Sequence, residues 1–241
     1  GRTVARATQG LADYLGGAGS VVIGYDSRHR SPEFAHEAAR VLAGNGIDVF
    51  LTPALRPTPF VSFCCRSKGA SAAIMITASH NPPSYNGYKV YWNDGGQIVS
   101  PHDAGIMRAV AAVTSVELAP PDDPHIQFLT EADDRAYLEA IGTTRNAADR
   151  GDLHIVFSNL HGTGITLMPE ALRSWGFTSV EFVESQIDPD GDFPTASKPN
   201  PEEQAALQPA IDQLIESGAD IAIATDPDAD RIGLVVLHNG S

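Results

Sequence analysis

Ser79 lies just past the apolar run Ala72-Ala73-Ile74-Met75-Ile76, and Asp226, Asp228 and Asp230 stand at alternate positions far down the chain. A serine at the end of a buried-type strand is where open α/β sheets gather their ligands, and the run predicts that it is exposed. Its hydroxyl is a nucleophile that can carry a transferred group. Three carboxylates spaced two apart, in a loop between the apolar segments 221–224 and 232–237, aim at a common point if the loop curves. Brought together they repel one another unless a cation holds them, and oxygen ligands alone select a hard ion, magnesium before zinc. The simpler readings are a polar loop whose serine bonds its own backbone and an exposed acidic turn.

Around these residues the chain offers helpers. His80 follows Ser79 directly, but adjacency does not make it the serine's base, because such arrangements are set by geometry. Lys89, beyond the Asn86-Gly87 turn, suits a phosphate partner or, with its pKa lowered by burial, a general acid/base; a solvated surface lysine is the alternative. His161-Gly162-Thr163-Gly164 follows one apolar strand and enters a helix, so its amides fit either a phosphate cradle or a tight turn. An EF-hand starting at Asp226 is excluded, since its sixth and twelfth places hold Arg231 and Leu237 where glycine and glutamate are needed.

The elements that must position these residues read as α/β layers. Val21-Val22-Ile23 is a strand, Ser31 an N-cap with Pro32 at the first helical position, and Phe34, Ala38, Val41 and Leu42 the apolar face of a helix. Gly44-Asn45-Gly46 stops that helix before a strand over 47–51. A further helix is expected over 4–15. A second strand–helix–strand unit runs from 154–157 through 168–175 to 179–183, followed by a four-proline loop over 188–201 and a helix over 201–217. A proline-rich acidic stretch at 119–124, a helix over 131–141 and a polar joint near 143–151 separate the two. The expected division is therefore 1–145 and 150–241.

The net charge of −14 over 241 residues argues against nucleic acid as a partner, because no basic surplus exists to displace counterions. No apolar run approaches the length of a bilayer span, which argues against a membrane. The two cysteines, Cys64 and Cys65, are adjacent, which suits neither an ordinary disulfide nor a zinc cluster. They read as reduced thiols, which favours the cytoplasm.

TASHNP (77–82) followed by YNGYKVY (85–91) resembles the active-site serine loop of the α-D-phosphohexomutase superfamily. DPDADR (226–231) is similar to its metal loop, and GYDSR (24–28) and HGTG (161–164) to two supporting motifs, all in the family's order. YWNDGGQIVSPHD (91–103) and PDGDFPTASKPNPEE (189–203) resemble the phosphoglucomutase-2 and phosphopentomutase branch most. The resemblance implies two successive α/β/α sandwich domains with mixed sheets, the first two of a four-domain protein. Domains III and IV, which recognise the sugar and its phosphate, are then expected beyond this chain, which by itself is expected to be inactive.

The resemblance also implies a chemistry. Ser79 carries a phosphate, gives it to a hexose monophosphate to make a hexose 1,6-bisphosphate, and takes the other phosphate back. Mg²⁺ is held by Asp226, Asp228 and Asp230 with a phosphoserine oxygen on Ser79. Lys89 matches the family's acid/base lysine, with His80 as a catalytic support, and Arg231 and Arg28 as contacts to the sugar phosphate. Phosphopentomutase activity, hexose-bisphosphate synthesis and a non-catalytic module that binds Mg²⁺ and sugar phosphate remain open alternatives.

Overall fold

The computed structural model describes residues 2–145 and 152–237. They form two compact units. Part of the expected joint, 146–151, and the chain ends at Gly1 and 238–241 lie outside the described residues.

The first unit holds Gly1–Tyr25, Arg30–Thr77 and Gly87–Asp133. Helix α1 (Arg2–Leu15) precedes strand β1 (Ser20–Tyr25), and helix α2 (Ser31–Gly44) leads to β2 (Asp48–Leu51). Helix α3 (Thr58–Ser67) leads to β3 (Ala72–Ile76), which turns back as β4 (Tyr88–Trp92); helix α4 (His102–Ala112) and the short β5 (Ile126–Phe128) follow. The sheet order is β4-β3-β1-β2-β5, parallel except for the antiparallel pair β3–β4. A mixed sheet is thus realised. Alternation along the strands splits the core. Val21, Ile23, Ala72, Ile74, Val49 and Leu51 pack with Leu11 of α1, Ala35, Ala38 and Leu42 of α2 and Ile106 of α4. Val22, Ala73 and Met75 point the other way and are fully buried as well. A strand buried on both faces needs a layer on each side, and the continuous apolar runs of β1 and β3 encode that requirement.

Two details depart from expectation. Helix α2 begins at Ser31 itself, with Arg30 at the cap in a left-handed conformation (φ 65°) and no side-chain cap hydrogen bond, so Ser31 is not the N-cap. Strand β4, helices α3 and α4, and strand β5 are additional to the elements read from the pattern. Cys64 and Cys65 are buried free thiols on α3.

The second unit comprises Asp26–His29, Ala78–Asn86 and Asp134–Ser241. Helix α5 (Glu131–Gly142) leads in; β6 (His154–Ser158), α6 (Met168–Ser174), β7 (Ser179–Phe182), α7 (Gln204–Ser217), β8 (Ile221–Thr225) and β9 (Ile232–Val235) follow. The sheet order is β7-β6-β8-β9, with β9 the antiparallel member. Helix α7 starts at Gln204 rather than 201, because Glu203 is still extended. Its Ala210 and Leu214 pack on Val156 and Ala222. No helix among the described residues is long and apolar enough to cross a membrane.

Candidate active site

Strands β1 and β3 are parallel neighbours, so the segments after them, Asp26–His29 and Ala78–Asn86, leave the same sheet edge; both belong by their contacts to the second unit. The loop 226–231 joins β8 to β9 in that unit. These three segments build the site.

Ser79 adopts φ 53°, a left-handed conformation uncommon outside glycine. Its hydroxyl donates to Asp226 Oδ2 at 2.9 Å. His80 Nδ1 lies 3.4 Å from the same hydroxyl oxygen. The serine is 9% exposed, so the expectation of an exposed hydroxyl needs correcting. The loop folds inward onto the aspartate segment, which the strand pattern alone does not encode.

Asp226, Asp228 and Asp230 each offer a carboxylate oxygen within 4.8 Å of the others. Asp226 and Asp228 are fully buried and Asp230 is exposed. The loop is shaped by its own backbone: the Ala229 amide donates to Asp226 O at 2.9 Å, Ala229 is left-handed (φ 52°), and the Arg231 amide donates to Asp226 Oδ1 at 3.1 Å. Burial, and after it the charges of Asp228 and Asp230, push the Asp226 carboxyl well above the usual carboxylate range. Three such groups cannot all ionise there without a counter-charge. An all-oxygen donor set with surplus negative charge fits a hard divalent cation.

The HGTG turn serves this loop. The Thr163 amide donates to Pro227 O at 2.8 Å, while the His161 and Gly162 amides donate to Gln186 O and Asn159 O. Of the two readings of this motif, the tight turn is the one realised. Gly162 has no room for a side chain, since a Cβ there would fall 2.3 Å from Pro227 Cα.

Arg28 is the residue whose place differs most from expectation. The resemblance puts it at the substrate, but its side chain has no exposed surface. The guanidinium donates to carbonyl oxygens of the serine loop and faces Asp26 Oδ2 at 3.2 Å. Burial lowers its pKa, opposed by Asp26, Asp228 and Asp226; a guanidinium stays protonated regardless. It is a buried cation behind the loop.

Arg231 is 42% exposed, with Nη1 3.5 Å from Glu202 Oε1. His80 is held below its usual pKa, first by burial and then by the Arg231 charge, with Asp228, Glu202 and Asp230 opposing. Lys89 is half-buried on β4 of the first unit, in register with Met75. Among the described residues the non-glycine positions with positive φ are Arg30, Ser79, Leu160, His161, Phe193 and Ala229. Five of these six lie in the second unit, on the serine loop, the HGTG turn, the aspartate loop and the 188–201 loop. Strained backbone of this kind gathers at functional sites, where surrounding structure must hold it.

Two family models match the chain almost end to end. Residues 2–117 match phosphoglucomutase/phosphomannomutase alpha/beta/alpha domain I, and residues 135–240 match domain II of the same family. The chain belongs to the phosphoglucomutase/phosphomannomutase family. A Haemophilus influenzae protein named "Probable phosphomannomutase" is 39% identical over 241 residues, covering 97% of this chain and 49% of that protein. A Staphylococcus aureus phosphoglucomutase is 37% identical over 240 residues, covering 96% and 44%. A solved phosphoglucomutase/phosphomannomutase family protein from Burkholderia thailandensis superposes with a TM-score of 0.77 at 28% identity, covering 98% of this chain and 50% of that one. The chain therefore spans about half the length of the curated relatives it matches. The matches give two successive α/β/α domains, as the resemblance implied.

Proposed function

We propose that the whole protein is a phosphosugar mutase that interconverts the 1- and 6-phosphates of a hexose, glucose or mannose, through a phosphoserine on Ser79. The observation that carries this reading is the meeting of the Ser79 hydroxyl with Asp226, the first of three convergent carboxylates. Family membership supports it.

Ser79 is held by its loop with the oxygen at the aspartates. Its Oγ gives the phosphoryl group to a hydroxyl of the sugar phosphate, and takes back the other phosphate of the resulting 1,6-bisphosphate. Such transfers need positioning and charge neutralisation more than covalent chemistry. Asp226, Asp228 and Asp230, with an oxygen of the phosphoserine, would hold Mg²⁺. When bound, the ion neutralises the negative charge gathered there; a phosphoserine alone brings about −1.5 to −2. Arg231, exposed beside His80 in charge if not in contact, suits a phosphate oxygen of the substrate. His80, whose Nδ1 lies 3.4 Å from Ser79 Oγ, suits a hydrogen bond to that oxygen. Arg28 acts from behind the loop. Lys89 is the acid/base candidate, a role that typically contributes about 10²–10⁴-fold. The relatives' remaining length is the natural place for sugar recognition, so turnover is proposed for the full-length protein only.

The test is a mutase assay on the full-length protein with glucose, mannose and ribose 1-phosphates in turn, each with Mg²⁺ and a trace of the matching bisphosphate. Turnover of a hexose phosphate that vanishes in Ser79→Ala supports the reading. Turnover of ribose phosphate alone makes the protein a phosphopentomutase. Release of bisphosphate without isomerisation makes it a synthase, and binding without either leaves a non-catalytic module.

A further inference from the structure

We propose that Arg28 is a positioning residue, whose buried guanidinium locks the two turns of the serine loop together and so fixes where Ser79 points. The loop Ala78–Asn86 closes on itself twice. The Asn81 amide donates to Ala78 O at 3.1 Å, and the Tyr85 amide donates to Pro82 O at 3.1 Å. These two local turns do not by themselves set the angle of one against the other. Arg28 spans them. Nη2 donates to Ser79 O at 2.6 Å and to Asn81 O in the first turn; Nη1 donates to Pro82 O and Tyr85 O, each at 2.9 Å, in the second.

The clamp is itself held from three sides. Asp26 Oδ2 faces Nε at 3.2 Å, and Asp26 Oδ1 accepts from the Arg28 amide at 3.0 Å. The Phe193 ring, buried and at φ 46°, lies under the guanidinium carbon with 4.9 Å to its centroid. Gly191 brings its backbone against the segment from behind, since a Cβ there would fall 2.7 Å from His29 N and 3.1 Å from Ser27 O. Behind Phe193 the Asp190 amide donates to His161 O at 3.0 Å, which joins the clamp to the HGTG turn. The GYDSR and PDGDF segments are thereby one device, built around a cation with no exposed surface.

Only arginine suits this place. Its planar fork reaches carbonyls on two sides while stacking on an aromatic ring, whereas a lysine ammonium is a point charge with three donors. Losing the fork removes four donors from the loop's carbonyls, one of them in a buried bond to Ser79 O, and depriving a buried acceptor of its donor costs more than the bond contributed.

The catalytic half of this inference rests on the reading of Ser79 as the phosphoryl carrier; the structural half does not. In the full-length protein, Arg28→Lys and the milder Phe193→Leu would be compared with the parent by hydrogen exchange of peptides covering residues 78–86. Phosphorylation of Ser79 by hexose 1,6-bisphosphate would be followed by mass, and kcat, KM and Mg²⁺ affinity measured alongside. A loop misplaced by about 1 Å costs on the order of 10²-fold in rate. The expected result is therefore faster exchange confined to the loop and a fall in kcat of that order for Arg28→Lys, with KM and Mg²⁺ affinity near the parent's. Phe193→Leu should move the same readouts less. Should Arg28→Lys fail to fold, Phe193→Leu and Asp26→Asn carry the test. Loop exchange equal to the parent's in the folded variants overturns the clamp. A parent whose Ser79 never takes phosphate overturns the mutase reading instead, and the exchange data still decide the clamp.

Discussion

The Ser79 hydroxyl donates to Asp226 Oδ2 at 2.9 Å although 147 positions separate the two residues. One hydrogen bond thus joins the segment that can carry a phosphoryl group to the segment that can hold a cation. Each is incomplete without the other. A serine oxygen needs a way to shed negative charge, and three crowded carboxylates need a positive one. The consequences can be measured.

Asp228→Asn should weaken Mg²⁺ binding by at least about tenfold, since even partners one step removed from a metal commonly cost about 10–100-fold. Asparagine keeps the size and an oxygen but removes the charge. Calorimetric titration of parent and variant decides it; equal affinities would refute the metal assignment.

Gly162→Ala should destabilise the protein by about 1–3 kcal/mol, the usual cost of forcing a methyl into packed structure. The cause is the Pro227 backbone 2.3 Å from the new Cβ and not the local dihedral, because Gly162 at φ −107° is open to any residue. Since Pro227 lies between two of the aspartates, Mg²⁺ affinity should fall with stability. Urea unfolding and the same titration test both halves. An unchanged midpoint would mean that the turn can yield.

Asp133→Asn should cost about 0.5–1 kcal/mol at pH 7, the scale of a partly exposed ion pair. Lys68 Nζ lies 2.6 Å from Asp133 Oδ1, and the Thr130 amide donates to Asp133 Oδ2 at 2.8 Å at the start of α5. Burial alone would raise the Asp133 pKa, but the hydrogen bonds from Lys68 and Thr130 outweigh it and leave the carboxyl below its usual range. A group whose folded pKa is depressed stabilises fully above its unfolded value, about 3.9, and loses that contribution as pH falls through the folded value. The gap between parent and variant should therefore be constant from pH 7 to about 5 and shrink below about 4. A gap that stays constant down to about pH 3 would assign the effect to packing.

Native Cys65 should resist alkylation at pH 8. Its thiol is fully buried and can donate to Trp92 O at 3.3 Å. Burial, then the Asp94 charge, push its pKa to about 11 against the opposing charge of Arg66. The thiolate is the reactive form, so labelling should wait for unfolding. Rapid labelling of the folded protein would show an opening of α3 that the packing does not suggest.

Much of this molecule is legible in its residue pattern. The strand Ala72–Ile76 is a continuous apolar run of five residues, and that run is the strand. Asn45 and Gly46 end α2 where their types predict, with Gly46 at φ 75°. The pattern says less where two constraints overlap. Strand β4 is hidden because Tyr88 and Lys89 follow a turn-rich stretch and read as its continuation; pairing with β3 makes them a strand. Ser31 passes for a cap because capping residues and first-turn residues share polarity, and only the left-handed Arg30 shows which position the helix starts from.

Residue types and their local spacing settle the chemistry on offer: one serine past a buried strand, three alternate carboxylates, and two α/β layers to carry them. Type and period suffice for that, because each is a property of neighbours along the chain. Folding alone turns Ser79 inward to Asp226, sets the HGTG motif to serve the aspartate loop and buries Arg28 behind the serine loop. Those facts depend on backbone segments that meet across more than fifty residues, and hydrogen-bond direction and burial exist only once they have met.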